Sequence, residues 1–352
     1  MIASPQKRIL VDIGHPAHVH LFRNAIKIWQ SHGHDVAITT REKDVTLDLL
    51  DSYGFTYDIV SKARKGTLGL AYEMLEHDLG VLRAALRHGS KILIGTSVSI
   101  THVAPFIGAK SIVFNEDDAS VAKSFVRLSY PMAHKIVTPK VLNENHGKKH
   151  ITYEGIQKLA YLHPNYFTPN RNVVENLGIE PEERYFLLRF VSLKAAHDQG
   201  EAGMGVDLQR KLIKYLNQYG KVFITSEGSL QSEFEPYRVQ VDPADLHHVL
   251  AFADIFIGDS QSMTVEAAVL GVPSIRINSF ADRCSILLDL QKRYSLTYAF
   301  FPSQEVEIFE TISNWLSDKL LREKWQEKRE NLLRDKIDMT AWMIDFIESS
   351  VE

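Results

Sequence analysis

The sequence predicts an α/β protein made of two domains, each a doubly wound parallel sheet covered by helices. Three observations carry that prediction. Short apolar runs alternate with amphipathic stretches, the alternation restarts near Tyr185, and glycines at 33, 54 and 108 close three helical stretches. At 352 residues the chain is long enough for two separate hydrophobic cores.

In the first half, strands are expected at Arg8–Ile13, Asp35–Thr40, Thr56–Val60, Lys91–Gly95, Lys110–Phe114 and Lys135–Thr138. The helical patterns between them are His18–Ser31, Lys43–Ser52, Leu70–Arg87, Ile100–Ile107 and Ser120–Ser129. The second half gives strands at Tyr185–Phe190, Lys221–Thr225, Asp254–Gly258 and Ser274–Asn278, with helices at Asp207–Gln218, Leu246–Phe252 and Met263–Leu270. A proline- and aromatic-rich segment, Tyr161–Pro169, reads as the connection between domains, and Gln304–Ile347 is charged and helical. These boundaries give a first domain over 1–165, a second over 166–330 and a terminal helix over 331–352.

Composition narrows the function classes. An apolar fraction of 45% and a charged fraction of 24% are those of an ordinary globular protein. A net charge of −4 offers no electrostatic reason to bind nucleic acid. The single cysteine, Cys284, excludes an internal disulfide framework and fits a reducing compartment. No 18-residue apolar run or signal-peptide layout is present, so a cytoplasmic location is expected.

Ligands of open α/β sheets bind beyond the carboxyl ends of the strands, so the turns that follow strands are where chemistry belongs. The most informative is Asp259–Ser262, between a buried strand and a helix that Gly271 and Pro273 terminate. Its hydroxyls and the helix N-terminus suit a phosphate, with Ser260, Gln261 and Ser262 as the contacts. With Ser262 as the N-cap, Glu266 falls at the fourth helical position and is free to meet ribose hydroxyls. After the first strand, Gly14, His15 and His18 stand where a nicotinamide fingerprint would need three glycines, and the second strand ends in Arg41 rather than an acid. A dehydrogenase is therefore not expected. His15 and His18 read either as base and phosphate donor or as helix caps. No metal is expected there, because sulfur and carboxylate ligands are lacking nearby. Gly95–Ser99 reads either as an anion-binding turn or as plain capping by Thr96 or Ser97. Asn115–Asp118 packs three acids before a helix, with Glu116 as the functional candidate and Asp118 as a cap. Arg189 closes the first strand of the second domain and suits a diphosphate, with Lys194 and His197 behind it. Glu227 and His247 follow at positions suited to the nucleotide, with His248 beside His247. Lys62–Gly66 is a basic loop, read either as solvated or as contact with an anionic or lipid-phosphate acceptor at a membrane surface.

The pattern A-D-x-x-I-G-D-S-x-x-M-T-x-E-A-A-x-L-G-x-P, from Ala253 to Pro273, resembles the donor-binding element of GT-B glycosyltransferases and of non-hydrolysing UDP-N-acetylglucosamine 2-epimerases. Asp12–Phe22, Gly95–Ala104 and Phe114–Asp118 resemble the uncharacterised family known as domain of unknown function 354. The resemblance covers nearly the whole chain. It implies a GT-B-like α/β fold of two facing Rossmann-like domains with an interdomain cleft, and a terminal helix that packs back on the first. It also implies a metal-independent glycosyltransferase that uses a nucleotide-diphosphate sugar, UDP-linked by analogy, as substrate and needs no cofactor. The acceptor would be a glycan or a lipid-linked glycan. Arg189, Ser260, Gln261, Ser262, Thr264 and Glu266 would hold the nucleotide, while His15 or Glu116 would serve as the base. Glu116 enters because the related epimerases use an acid after the equivalent strand. The alternatives on the same scaffold are a nucleotide-sugar epimerase or hydrolase and a non-catalytic nucleotide-sugar-binding protein.

Overall fold

The computed structural model describes residues 6–64, 66–190, 203–226 and 230–350. They form two compact units, residues 1–166 with 336–352 and residues 167–335. The first unit runs β1 (Arg8–Ile13), α1 (Pro16–Ser31), β2 (Asp35–Glu42), α2 (Asp44–Ser52), β3 (Asp58–Lys62), α3 (Thr67–His88), β4 (Ile92–Gly95), α4 (Ser99–Ile107) and β5 (Lys110–Phe114). It continues with α5 (Lys123–Ser129), β6 (Lys135–Pro139), β7 (His150–Tyr153) and α6 (Leu159–Leu162). The second runs α7 (Arg171–Glu175), β8 (Tyr185–Phe190), α8 (Val206–Leu216), β9 (Lys221–Ser226), α9 (Leu246–Phe252), β10 (Ile255–Gly258), α10 (Gln261–Leu270) and β11 (Ser274–Ile277). After these come α11 (Ser285–Lys292), β12 (Thr297–Phe300), α12 (Glu305–Ser317) and α13 (Leu321–Asp335). The chain then re-enters the first unit as α14 (Met339–Ser350).

Among the described residues every strand pair is parallel, in the order β3-β2-β1-β4-β5-β6-β7 in one sheet and β12-β11-β10-β8-β9 in the other. Parallel pairing forces a crossover after each strand, so helices cover the sheets and the strands between them become apolar. β1 shows the result, with Ile9, Leu10, Val11 and Ile13 all without exposure. Against it α1 lays a stripe of Val19, Phe22, Ala25, Ile26 and Trp29, at the three- and four-residue spacing of one helical face. In each sheet the direction of winding reverses once, between β1 and β4 and between β8 and β10. Such reversals splay the following loops apart and leave a crevice at the strands' carboxyl ends.

The sequence reading places β1, β5, β8 and α9 at the observed boundaries, starts β10 one residue early, and overlooks β7, α11 and β12. Both missed strands are four residues long and lie at the edges of their sheets, where exposed positions dilute the apolar run. β3 sits two residues later than expected, again at an edge. The starts of α3 and α5 each differ by three residues from the expected ones, and two further helix starts bear on the site. α1 begins at Pro16 rather than His18, because a proline is preset for the first turn. α10 begins at Gln261 with Ser260 as its N-cap, the Ser260 hydroxyl accepting from the Met263 N–H at 3.4 Å. The cap is therefore two residues earlier than the Ser262 assignment, and Glu266 moves to the sixth helical position.

Gly95 pairs with Asp12 across β4 and β1, and a Cβ there would lie 2.7 Å from the Asp12 carbonyl oxygen. A Cβ on Gly14 would meet nothing within 4 Å. Gly95→Ala is thus expected to cost about 1–3 kcal/mol in urea unfolding, the usual penalty for overpacking. Gly14→Ala is expected to leave the unfolding midpoint nearly unchanged.

Candidate active site

At the end of β1, Asp12 has no solvent exposure, yet it is surrounded by groups that favour its ionised form. The Thr39 hydroxyl donates to it at 2.7 Å, and His77 Nε2 of α3 lies 3.0 Å from its second oxygen. The other ring nitrogen of His77 is 2.7 Å from the buried Ser61 hydroxyl. Burial alone would raise the Asp12 pKa, but the charge and hydrogen bond of His77 and the bond from Thr39 hold it below the ordinary value. Burial likewise opposes a charge on His77, and the Asp12 carboxylate overcomes it, raising the histidine.

The turn after β1 stands on this pair. His15 is the N-cap of α1, its Nδ1 accepting from the Ala17 N–H at 3.2 Å. A neutral ring with Nδ1 as acceptor carries its proton on Nε2. The His18 ring lies 5.8 Å from the His15 ring, with the Thr96 hydroxyl 2.6 Å from its nitrogens. Burial and the positive neighbours His15, Lys158 and Arg41 push the His18 pKa well below the ordinary value, so the ring is neutral at neutral pH. Thr96 is engaged by His18, and α4 has Val98 at its N-cap without a side-chain cap, so neither Thr96 nor Ser97 serves as one. The Gly14 carbonyl accepts from Arg41 Nε at 2.9 Å, and Arg41 also bonds the buried Glu73 at 3.0 Å.

After β5, Glu116 is ion-paired with Lys158, whose side chain is nearly inaccessible, and accepts from the Gln157 N–H at 3.3 Å. The expected acid cluster is thus divided: Glu116 is matched by a lysine, while Asn115 ties down the Asp117 backbone at 2.8 and 3.2 Å. Asp118 does not cap α5, which begins at Lys123 with Ala122 as its N-cap.

The second unit presents its own carboxyl edge. Thr225, Arg189, Gly258, Arg276 and Ala299 stand side by side across five neighbouring strands. Residues in register on parallel strands project to the same face, so Arg189 and Arg276 flank a glycine that has no side chain. A Cβ on Gly258 would come within 2.9 Å of the Arg189 side chain. Arg189 is buried and donates to the Thr225 hydroxyl at 2.9 Å. Arg276 is 1% exposed; it donates to the Ala281 carbonyl at 2.5 Å, while its Nε and Nη1 lack hydrogen-bond partners among the described residues. Burial lowers its pKa. Gln261 and Ser260 are half-buried and Ser262 is exposed, so the start of α10 reaches solvent. Beyond it the helix is enclosed on all sides from Met263 to Leu270. Thr264 is wholly buried and donates back to the Ser260 carbonyl at 2.6 Å, a structural bond within the first turn. Glu266 is buried against His247, with Nε2 and Oε1 3.3 Å apart. His248 is used differently: it stacks on Phe167 at 4.8 Å and accepts from the Asn170 N–H at 3.0 Å.

The structure therefore gathers Gly14, His15 and His18 at one edge, and Arg189, Ser260, Gln261, Ser262, Glu266 and His247 in the unit of the other. Glu116 stands on the first sheet with Lys158. Lys194, His197 and Glu227 lie outside the described residues. His77, Glu73, Lys158 and Arg276 are absent from the sequence reading, and Arg41 figures there only as the residue standing where an acid would be. Asp12 was the available signal, since a carboxylate inside an apolar strand requires a buried partner.

Two parallel sheets wound in these orders, with their candidate ligands at the carboxyl edges, define the GT-B class of fold. The chain resembles a UDP-N-acetylglucosamine 2-epimerase at a TM-score of 0.69 and 13% identity, over 97% of this chain and 94% of that one. It resembles S. aureus MnaA, in a co-structure with UDP, at 0.66 and 11%, over 97% and 96%. The Streptomyces sp. SF2575 glycosyltransferase SsfS6 aligns at 0.62 and 12%, over 98% and 100%. Within this class the chain belongs to the family described as protein of unknown function DUF354, whose model matches residues 7–348. An uncharacterized protein of Methanocaldococcus jannaschii, MJ0665, is 22% identical over 281 residues, 76% of this chain and 80% of that protein. Among the described residues no cluster of histidine, cysteine and acidic side chains suits a metal ion, and no helix is long and apolar enough to cross a membrane.

The Asp12–His77 pair carries a pH dependence. The part due to His77 is fully present below the ordinary histidine value of 6.5 and is lost as the pH rises through its raised folded value. The part due to Asp12 is lost only when the pH falls below 3.8, through its depressed folded value. Urea unfolding at a series of pH values is expected to show stability falling above pH 6.5. His77→Gln is expected to abolish that limb and to cost about 3–5 kcal/mol at neutral pH, since it strands a buried carboxylate.

Proposed function

We propose that this protein transfers a sugar from a nucleotide-diphosphate donor, with UDP the expected nucleotide, to a glycan or lipid-linked hydroxyl. The observation that carries this reading is the carboxyl edge of the second unit. Its winding reversal lies between β8 and β10, where Arg189 stands beside Gly258 and the Ser260–Ser262 turn opens α10 to solvent. An anion there would meet a guanidinium, the first backbone N–H groups of the helix and the positive end of its dipole. Glu266, held by His247, is the acceptor for the ribose hydroxyls.

The departing diphosphate gains negative charge as the glycosidic bond breaks, and donors fixed in advance stabilise that charge without reorganising. No divalent ion is required by this arrangement. Glu116, kept in place by Lys158, takes the proton of the attacking hydroxyl. His15 donates from Nε2, and neutral His18 completes the sugar side.

A second reading, epimerisation or hydrolysis of the nucleotide sugar without an acceptor, is favoured by the likeness to a UDP-N-acetylglucosamine 2-epimerase at a TM-score of 0.69. Binding without turnover is the third.

A thermal-shift titration with UDP and a panel of nucleotide sugars tests the shared premise. A ligand at a hundredfold excess over its dissociation constant is expected to stabilise the protein by about 2.7 kcal/mol. Arg189→Ala and Glu266→Gln should each weaken that ligand by about 1.5–3 kcal/mol, the worth of a hydrogen bond to a charged group. Glu116→Gln should leave binding intact and slow turnover by about 10²–10⁴-fold. Absence of any nucleotide-dependent shift overturns the premise. NMR of the sugar ring, with and without acceptor, separates transfer from epimerisation.

A further inference from the structure

We infer that Cys284 is a modification site, held as a thiolate beside the buried Arg276 guanidinium and open to soft electrophiles and peroxides. This inference stands apart from the nucleotide-sugar reading and uses neither Arg189 nor the Ser260–Ser262 turn. Cys284 is the chain's one cysteine, and it is half-buried, so a small reagent can reach it. It stands at the N-cap of α11, where the first backbone N–H groups lack partners within the helix and the positive end of the dipole emerges. Its thiol makes no capping bond to those groups.

The second observation is Arg276. It comes up from β11 with 1% exposure, and its Nη2 donates to the carbonyls of Ala281 at 2.5 Å and Arg283 at 3.3 Å. The Arg283 carbonyl belongs to the peptide bond that leads into Cys284, so the guanidinium lies against the cysteine's own backbone. Nε and Nη1 have no hydrogen-bond partner, and no carboxylate is paired with them, among the described residues. A guanidinium keeps its proton, so its charge inside the fold calls for a matching anion. Asp282 does not supply it closely: its side chain is 67% exposed, with Arg283 3.9 Å away. α10 and β12 pack against α11. The ionisable groups they carry are Glu266, which is held by His247, and Tyr298. Along α11 itself, Asp289 acts on Arg293, and Lys292 is a cation. Burial works against the Arg276 charge, and Cys284 is the foremost group supporting it, ahead of Asp282.

The thiolate, not the thiol, is the nucleophile. With iodoacetamide a sulfur–carbon bond forms and iodide leaves. With a peroxide, sulfur attacks one oxygen, the O–O bond breaks, hydroxide leaves and a sulfenic acid remains; sulfur gives up two electrons and the peroxide takes them. No second cysteine in the chain can close a disulfide on that product. A small thiol would do so, releasing water and leaving a mixed disulfide.

The rate of alkylation of the full chain by iodoacetamide, followed by intact mass across a pH series, reads the ionised fraction of this one thiol. In the native protein the half-maximal rate is expected at least about one pH unit below the ordinary cysteine value of about 8.5, a roughly tenfold shift in the ionisation equilibrium. The same chain unfolded in urea should return to about 8.5. Arg276→Met should move the native midpoint up toward the unfolded one, and Arg276→Lys, which keeps the charge, should hold it down, a rescue that a packing role would not give. After treatment with hydrogen peroxide, dimedone should trap a sulfenic acid at Cys284. A native midpoint at or above the unfolded one, a native thiol that does not alkylate, or a folded Arg276→Met with its midpoint unmoved overturns the inference. Absence of the dimedone adduct overturns its peroxide half. The comparison of native with unfolded wild type needs no substitution, so it decides even where Arg276→Met does not fold.

Discussion

A carboxylate without access to water sits at the end of the first strand, and the means of keeping it charged organise much of the first unit. Asp12 needs a counter-charge and donors inside the core, because burial of an unmatched carboxylate is prohibitive. The donors come from β2 and α3, so Thr39 and His77 are drawn onto one point. β4 can approach that point only through a glycine. The turn from β1 into α1 then leaves from a fixed origin, with Arg41 and Glu73 bracing the Gly14 carbonyl from outside. His15 and His18 owe their positions to that frame, while burial above all keeps His18 neutral.

The second unit solves a related problem with the opposite sign. Two arginines are carried on strands that flank Gly258; Arg189 donates to the Thr225 hydroxyl and Arg276 to the Ala281 and Arg283 carbonyls. Oxygen dipoles hold a guanidinium in place without cancelling its charge. Glu266 is kept separately, by His247.

The alternation of parallel strands and helices was legible because fully buried runs such as Ile9–Ile13 and Ile255–Gly258 have no polar interruption apart from Asp12. Edge strands were not, since β7 and β12 each bury only one residue of a four-residue pattern fully. The site was legible wherever the chemistry is local: a hydroxyl turn before a helix, an arginine ending a strand. It was hidden where the partner is remote. His77 lies 65 residues from Asp12 and Lys158 lies 42 from Glu116, and each occupies a segment whose own pattern is ordinary. The N-cap of α10 shows a third kind of difficulty. Ser260 and Ser262 are equally good caps by type, and the choice follows from where β10 ends.

The return of the chain to its first unit has a bearing on biogenesis. α14 buries Met339, Met343 and Ile347 completely, and Lys7 binds the Ile347 and Glu348 carbonyls at 2.9 and 2.8 Å. During translation, therefore, the amino-terminal unit must wait on the ribosome with an apolar groove beside α1 and α6 unfilled. The continuous unit, made later, already has all its elements before that groove is closed. A nascent chain stalled short of residue 339 would thus offer chaperones and proteases its older half rather than its younger one.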